Sequence, residues 1–293
     1  MIVTPLLFLK ISKQYKYSIH GNKKMKKIMT PAIQLKMPKD VEEFRSVEHI
    51  RSFYGMVKEF HEVFNHPIES KSVTHELLTL RATLIREEAK EGIEAIECND
   101  GIEMLDAVGD VIYVMAGTLV AIRGALHGAT TYHLNKGSIA SSVMYSSTTN
   151  FKEDLNATFT HALRVADLLD KAADLLKRRK EEKANIELGS AIYAIGDSLH
   201  AFQHVIVMSG VDCIEMVRAV HESNMSKLWS VDLDTRLIQI ENCKYDKTDL
   251  AFKHCISRDG MIGYRITDGK ILKSPNYTPV DLGRFVNTCS GLS

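Results

Sequence analysis

The sequence predicts an all-α protein: a helical bundle of tandem helical hairpins, with one small β-hairpin near the C-terminus. Three observations carry this. Apolar residues recur at spacings of three and four along most of the chain between residues 41 and 228, the period of a helix with one buried face. Turn signals interrupt the pattern at Phe64-Asn65-His66-Pro67, at Cys98-Asn99-Asp100-Gly101 and along a stretch from 124 to 150 dominated by Gly, Ser, Thr and His. The period changes only near the end, where Tyr264-Arg265-Ile266-Thr267 and Lys270-Ile271-Leu272-Lys273 flank Asp268-Gly269, a two-residue hairpin signal.

A chain of 293 residues has room for one large or two small domains. Its 45% apolar and 25% charged residues are ordinary for a globular protein, and its net charge of zero gives no sign of broad binding to nucleic acid or membrane. The five cysteines, at 98, 213, 243, 255 and 289, are odd in number and include no CxxC. They argue against a disulfide framework and against a zinc site, and suit a reducing compartment such as the cytoplasm. No membrane span is expected. Val111 to Ile122 is short of the roughly 20 residues needed, and Gly189 to Val211 is interrupted by Asp197, His200, Gln203 and His204.

Residues 1 to 40 read as a poorly ordered leader, upstream of alternative starts at Met25 or Met29. Met1 to Leu9 is apolar with its lysines behind it, the reverse of a secretory signal. Lys10 to Lys27 holds no arginine, unlike a mitochondrial presequence.

The first helix is expected over 41 to 64, where Val47, Ile50, Phe53, Val57, Phe60 and Phe64 share a face. It closes ahead of Pro67, since a residue before proline is pushed out of the helical region. The second helix is expected from about Thr74 to Cys98 and the third from about Gly101 to Gly124. The chemistry is concentrated in this pair. Glu87, Glu88, Glu91 and Glu94 crowd the second helix, with Glu88 and Glu91 on one face. Glu103, Asp106 and Asp110 share a face of the third. Both helices are otherwise apolar, through Leu84, Ile85, Ala89, Ile93 and Ile96 and through Leu105, Val108, Ile112, Met115 and Leu119. Carboxylates beside a core stripe are costly unless neutralised. Alone, the first cluster would read as a solvated face. The turn at 98 to 101 brings both acidic faces to one level, where four facing carboxylates need a metal or raised pKa values. Oxygen-only ligands suit Mg²⁺ or Mn²⁺. Arg81, Arg86 and Lys90 read as surface charge balance, and Gly109 requires a closely approaching helix.

Residues 124 to 150 read as a flexible linker, with His127 and His133 as loop histidines. A fourth helix is expected over 151 to 183, with Lys177-Arg178-Arg179-Lys180 as its solvated end, and a fifth over 185 to 209. Ala194-Ile195-Gly196-Asp197 echoes Ala107-Val108-Gly109-Asp110, which suggests an internal duplication. Leu175, Arg178, Ser190 and Tyr193 then stand where the first copy has Glu88, Glu91, Glu103 and Asp106, so the second copy has lost its acidic set. A sixth helix, 212 to 228, ends in His221-Glu222-Ser223-Asn224-Met225-Ser226-Lys227. The expected divisions are therefore 1–40, 41–123, 124–150, 151–228 and 229–293.

Glu88-x-x-Glu91 followed by Glu103-x-x-Asp106 resembles the ExxE and ExxD signature of the all-α nucleoside triphosphate pyrophosphatases. That superfamily includes MazG-like enzymes, dimeric dUTPases, dCTP pyrophosphatases and phosphoribosyl-ATP pyrophosphohydrolase. The run from Glu103 through Asp110 to Gly117 resembles the MazG-like and phosphoribosyl-ATP pyrophosphohydrolase branch, and Lys273-Ser-Pro-Asn-Tyr277 resembles its closing motif. The resemblance covers roughly 53 to 123 and 211 to 281. It implies Mg²⁺-dependent hydrolysis of a nucleoside triphosphate to monophosphate and pyrophosphate, on dUTP, dCTP or a non-standard nucleotide. It implies Glu88, Glu91, Glu103 and Asp106 as metal ligands, Glu87 and Glu88 as catalytic carboxylates, and Asp110 as a supporting partner. Asn224 and Lys227 would reach the nucleotide, an amide for a base or sugar edge and an ammonium for phosphate. Phe64 and Asn65 would meet the base, and Lys273 and Tyr277 would cover the substrate. Helix-end packing for the first pair and hairpin anchoring for the second are the competing readings. Family sites form between helical hairpins, so the two copies are expected to pair within one chain as a pseudo-dimer. The alternatives are a phosphoribosyl-ATP pyrophosphohydrolase, although no cyclohydrolase-like half is visible, and a non-catalytic nucleotide-binding bundle. A di-iron bundle would need Glu-x-x-His pairs, which the sequence lacks.

Overall fold

The computed structural model describes residues 41–70, 72–122, 150–267 and 269–289, with side chains from residue 52 onward. The proposed leader 1 to 40, most of the linker 124 to 150 with His127 and His133, and Asp268 of the hairpin turn lie outside the described residues.

Six long helices build the molecule: α1 Val41–Phe64, α2 His75–Cys98, α3 Gly101–Ile122, α4 Phe151–Lys177, α5 Glu181–Met208 and α6 Cys213–Met225. They are followed by α7 Leu233–Asn242, the strands β1 Leu250–His254 and β2 Met261–Arg265, and a last turn, α8 Gly283–Val286. The chain is therefore an all-α bundle with one small antiparallel sheet, as the periodicity predicts.

The helix boundaries follow local chemistry. The Thr74 hydroxyl accepts from the Leu77 amide and starts α2. Asn99, at φ 58°, ends α2 in the left-handed conformation, and Asp100 then caps α3 by accepting from the amides of Ile102 and Glu103. Asn150 caps α4 and Asp212 caps α6 in the same way. The fourth and fifth helices end and begin earlier than their apolar pattern suggests. The basic run is the turn between them, with Arg179 at φ 57° and Lys180 flanking α5.

The two long hairpins pack as one body. α2 and α4 lie antiparallel, because Arg86 bonds Asp167 and Asp170, Gly92 meets Phe159, and Lys152 bonds Asn99. Arg86 is therefore an inter-helix clamp rather than surface balance. α3 is the central element. It is long and apolar enough to cross a membrane by composition, yet 83% of its most apolar window is buried in the bundle. Leu105, Ile112, Met115 and Leu119 are among its fully enclosed side chains, each stabilising the fold by about 1.5–3 kcal/mol. Gly109 is there for the reason its sequence context required: a Cβ would stand 2.7 Å from Val220 of α6.

Two expectations need correction. Arg81 is 9% exposed, not a surface charge. Its guanidinium donates from Nε to Thr118 Oγ1 at 3.0 Å and from Nη2 to the Val114 carbonyl at 2.5 Å. Its partners are neutral, and burial pulls its pKa down to about 10. Phe64 is fully buried with Val63, Cys255 and Ile262, so it packs the hairpin onto α1 and has no surface to offer a base.

The tail holds more regular structure than the sequence suggested. Asp232 caps α7 through the Thr235 amide. The main strand pairing is β1 with β2, Phe252 opposite Gly263. The second expected arm, 270 to 273, joins through the Tyr264–Ile271 bridge and the Arg265-to-Lys270 and Leu272-to-Gly263 backbone hydrogen bonds rather than as a full strand. Trp229, 1% exposed, fixes this unit to the end of α6. Its backbone exchanges two 2.9 Å hydrogen bonds with Met261, and its indole donates to the Leu272 carbonyl at 2.9 Å.

Candidate functional site

The acidic faces of α2 and α3 do meet. Glu88 is half-buried, and burial together with Asp110, Glu91, Glu87 and Asp106 pushes its pKa up to about 8. Asp110 is raised to about 7, first by burial and then by Asp106, with Lys227 and Lys273 opposing. Glu91 and Asp106 are raised as well, each chiefly by burial. Glu103, exposed on the first turn of α3, acts on Glu91 and so lies at the edge of the same cluster. Glu87 and Glu94 are exposed on its other rim.

The C-terminal segments bring cations to these carboxylates. Lys227, just past α6, is half-buried, and its ammonium feels Asp110 and Glu88 as well as Lys273 and Lys270. Burial pulls its pKa down to about 8. Its Nζ donates to Asn224 Oδ1 at 2.5 Å. Lys273 is exposed, acts on Asp106 and Asp110, and stands 4.1 Å from the centre of the Tyr277 ring. The Ser223 hydroxyl donates to the Thr278 carbonyl and accepts from the Tyr277 hydroxyl, both at 2.9 Å, which ties this strap to α6.

Asn65 occupies the exposed left-handed turn (φ 57°) that ends α1. Its neighbour His66 is the residue whose ring lies beside the site: it stacks on Phe60 at 5.6 Å, and Phe60 in turn lies 5.8 Å from the Lys227 ammonium. His66, Lys270 and the buried Tyr113 and His221 are neighbours that sequence reasoning passed over. Tyr113 and His221 did leave a signal, as polar residues placed on otherwise core-facing helical positions.

The donor set fits a hard divalent cation in kind: oxygen atoms only, carrying mutually repelling negative charge that a cation would relieve. Among the described residues no group of three or more His, Cys, Asp or Glu side chains is gathered tightly enough to hold a metal ion.

Fold and cluster together define an α-helical bundle that sets carboxylates and ammonium groups against one another at the junction of α2, α3 and the end of α6. Residues 57–123, from within α1 to the end of α3, match the family described as phosphoribosyl-ATP pyrophosphohydrolase, a member of the all-α NTP pyrophosphatase superfamily. An uncharacterized protein of Acanthamoeba polyphaga mimivirus is 28% identical over 244 residues, 77% of this chain and 94% of its own length. No solved structure matches the chain. The family match supports a pyrophosphohydrolase-like activity in general.

Proposed function

We propose that the protein is a Mg²⁺-dependent nucleoside triphosphate pyrophosphohydrolase, cleaving a triphosphate to monophosphate and pyrophosphate. The observation that carries this reading is the convergence of Lys227 and Lys273 on Glu88, Asp106 and Asp110. A polyphosphate with its cation needs both signs of charge at one place, and a purely structural acidic cluster needs neither lysine.

Glu88, Glu91, Glu103 and Asp106 would hold Mg²⁺ or Mn²⁺. When bound, the metal would neutralise phosphate oxygens and acidify an attacking water. The chain's own residues do the rest by positioning and charge. Lys227 and Lys273 face the phosphates, and Asn224 holds Lys227 and offers its amide to a sugar or base edge. Glu87 stands on the exposed rim, where it can orient water. Asp110 opposes the effect of burial on the Lys227 ammonium. Asn65 and Tyr277 would border the nucleoside.

The base preference we propose is dUTP, dCTP or a non-standard nucleotide, in a reducing, cytoplasmic setting that suits five unpaired cysteines. The second reading, phosphoribosyl-ATP as substrate, is favoured by the description of the matching family. We also read α4 and α5 as a degenerate second copy, so that one chain supplies both hairpins of its site. A panel of nucleoside triphosphates and phosphoribosyl-ATP, with pyrophosphate release as readout and Glu88→Gln as control, tests all of this. Absence of pyrophosphate from every compound, with a folded protein and saturating Mg²⁺, sinks the reading.

A further inference from the structure

A chain of hydrogen bonds runs from the surface to the candidate site. Arg258, on the β1–β2 connection, pairs with Glu59 of α1. Glu59 Oε2 lies 3.1 Å from His221 Nε2 on α6. His221 Nδ1 lies 3.0 Å from the hydroxyl of Tyr113 on α3. That hydroxyl also meets the side chain of Asn224, whose Oδ1 accepts from Lys227 at 2.5 Å. His221 is 7% exposed and Tyr113 6%, so the middle of the chain is sheltered from water, while Arg258 and Glu59 reach the surface.

With a neutral His221, one order of protons satisfies every link. Glu59 is a carboxylate held below its ordinary range by Arg258 and His221 against the opposing effect of burial. It can only accept, so His221 Nε2 carries the hydrogen and donates. The imidazole is neutral, because burial outweighs Glu59 and lowers its pKa. Nδ1 is then an acceptor, and the Tyr113 hydroxyl must donate to it. The hydroxyl's remaining capacity is as an acceptor, so Asn224 presents its NH₂ to Tyr113. Its oxygen is thereby turned toward Lys227, where the ammonium, a pure donor, requires it.

We infer that Tyr113 and His221, with Glu59 behind them, are positioning residues that fix the Asn224 amide and through it the place of the Lys227 ammonium. The inference rests on the nucleotide reading for its functional consequence but not for its hydrogen-bond order. An Asn side chain presents O or NH₂ with nearly equal ease when unconstrained. A flipped Asn224 would put its NH₂ against the Lys227 ammonium, donor against donor. Tyr113, His221 and Glu59 remove that state without touching substrate themselves, and the network joins α1, α3, α6 and the hairpin at one point.

Two measurements on the full-length protein test this. The first is long-range ¹H–¹⁵N NMR of the histidine rings without ligand, with His221 assigned by its loss in His221→Asn. The Nε2–H tautomer is expected, and an Nδ1–H tautomer overturns the inference whether or not the protein hydrolyses nucleotides. The second is calorimetry with inorganic pyrophosphate and Mg²⁺ on Tyr113→Phe, Asn224→Ala and the double variant. Tyr113→Phe is expected to weaken binding about ten-fold in the wild-type background and not at all in the Asn224→Ala background. An equal loss in both backgrounds means Tyr113 acts through general packing, and overturns the inference. A wild-type protein that binds no pyrophosphate counts against the nucleotide reading, and the tautomer then decides the positioning network alone.

Discussion

Phe159 of α4 lies with its ring directly across Gly92 of α2. A Cβ on residue 92 would stand 2.2 Å from Phe159 Cζ. Phe159 is itself fully buried, and an inflexible ring against a helix backbone leaves no room to yield. Glycine inside a helix normally costs about 1 kcal/mol relative to alanine. Here that cost is outweighed, because the small residue permits the close approach of the two hairpins.

Gly92→Ala should therefore destabilise the fold, by about 1–3 kcal/mol from overpacking. Gly55→Ala, on the exposed face of α1 with nothing near the added methyl, should stabilise by up to about 1 kcal/mol. Urea unfolding of both variants reads the contrast. A Gly92→Ala protein more stable than wild type would mean that α2 and α4 do not pack in this way.

The repulsion among the carboxylates of α2 and α3 has a pH signature. The folded-state pKa of Glu88 is raised to about 8 from an ordinary 4.5. Its protonated form is thus favoured by folding, and that contribution is lost as pH rises from about 4.5 through 8. Without divalent cation, Glu88→Gln should flatten the fall in melting temperature across this window. Adding Mg²⁺ should stabilise wild type and not Glu88→Gln or Asp106→Asn, and both variants should lose Mg²⁺-dependent turnover. Equal Mg²⁺ stabilisation of all three proteins would remove these residues from the proposed ligand set.

His61 acts in the opposite direction. It is 3% exposed, its Nδ1 lies 2.7 Å from the Pro67 carbonyl, and burial lowers its pKa to about 3 from 6.5. The unfolded chain takes up a proton that the folded chain refuses, so stability falls as pH drops from about 6.5 toward 3. Unfolding measured at pH 4.5 and 6.5 should show a smaller difference for His61→Asn than for wild type. An unchanged difference would assign the acid sensitivity elsewhere, with His66, lowered to about 4, the next group to test.

Lys227→Ala and Asn224→Ala should both weaken nucleotide binding. Lys227→Ala should also blunt discrimination of triphosphate from monophosphate, because it removes the half-buried ammonium beside Asp110 and Glu88. Titration calorimetry with a triphosphate and its monophosphate separates the two effects. Unchanged affinities would leave the end of α6 as a polar helix terminus.

The sequence by itself determined the six long helices, because periodicity and turn chemistry are local, but not α7 or the pairing of β1 with β2. Apolar residues three and four apart must share a face, and Asn99 and Gly101 mark the turn between α2 and α3 regardless of what surrounds them. The acidic pairs were legible for the same reason: Glu88 with Glu91, and Glu103 with Asp106 and Asp110, are fixed on their faces by the helix alone. Gly109 announced a close neighbour without naming Val220. Everything that depends on which side chain comes from another element was decided only by the tertiary structure. Arg81 and Arg86 carry the same charge on one helix, yet one is enclosed against Thr118 and the other clamps Asp167 and Asp170. Phe64 and His66 are two residues apart, and packing buried the first while setting the second beside Phe60 and Lys227. Tyr113 and His221 are over a hundred residues apart, and no local pattern specifies a 3.0 Å contact between them. That contact exists because α3 and α6 approach where Gly109 allows it, and helix proximity is a property of the packed core rather than of any stretch of sequence.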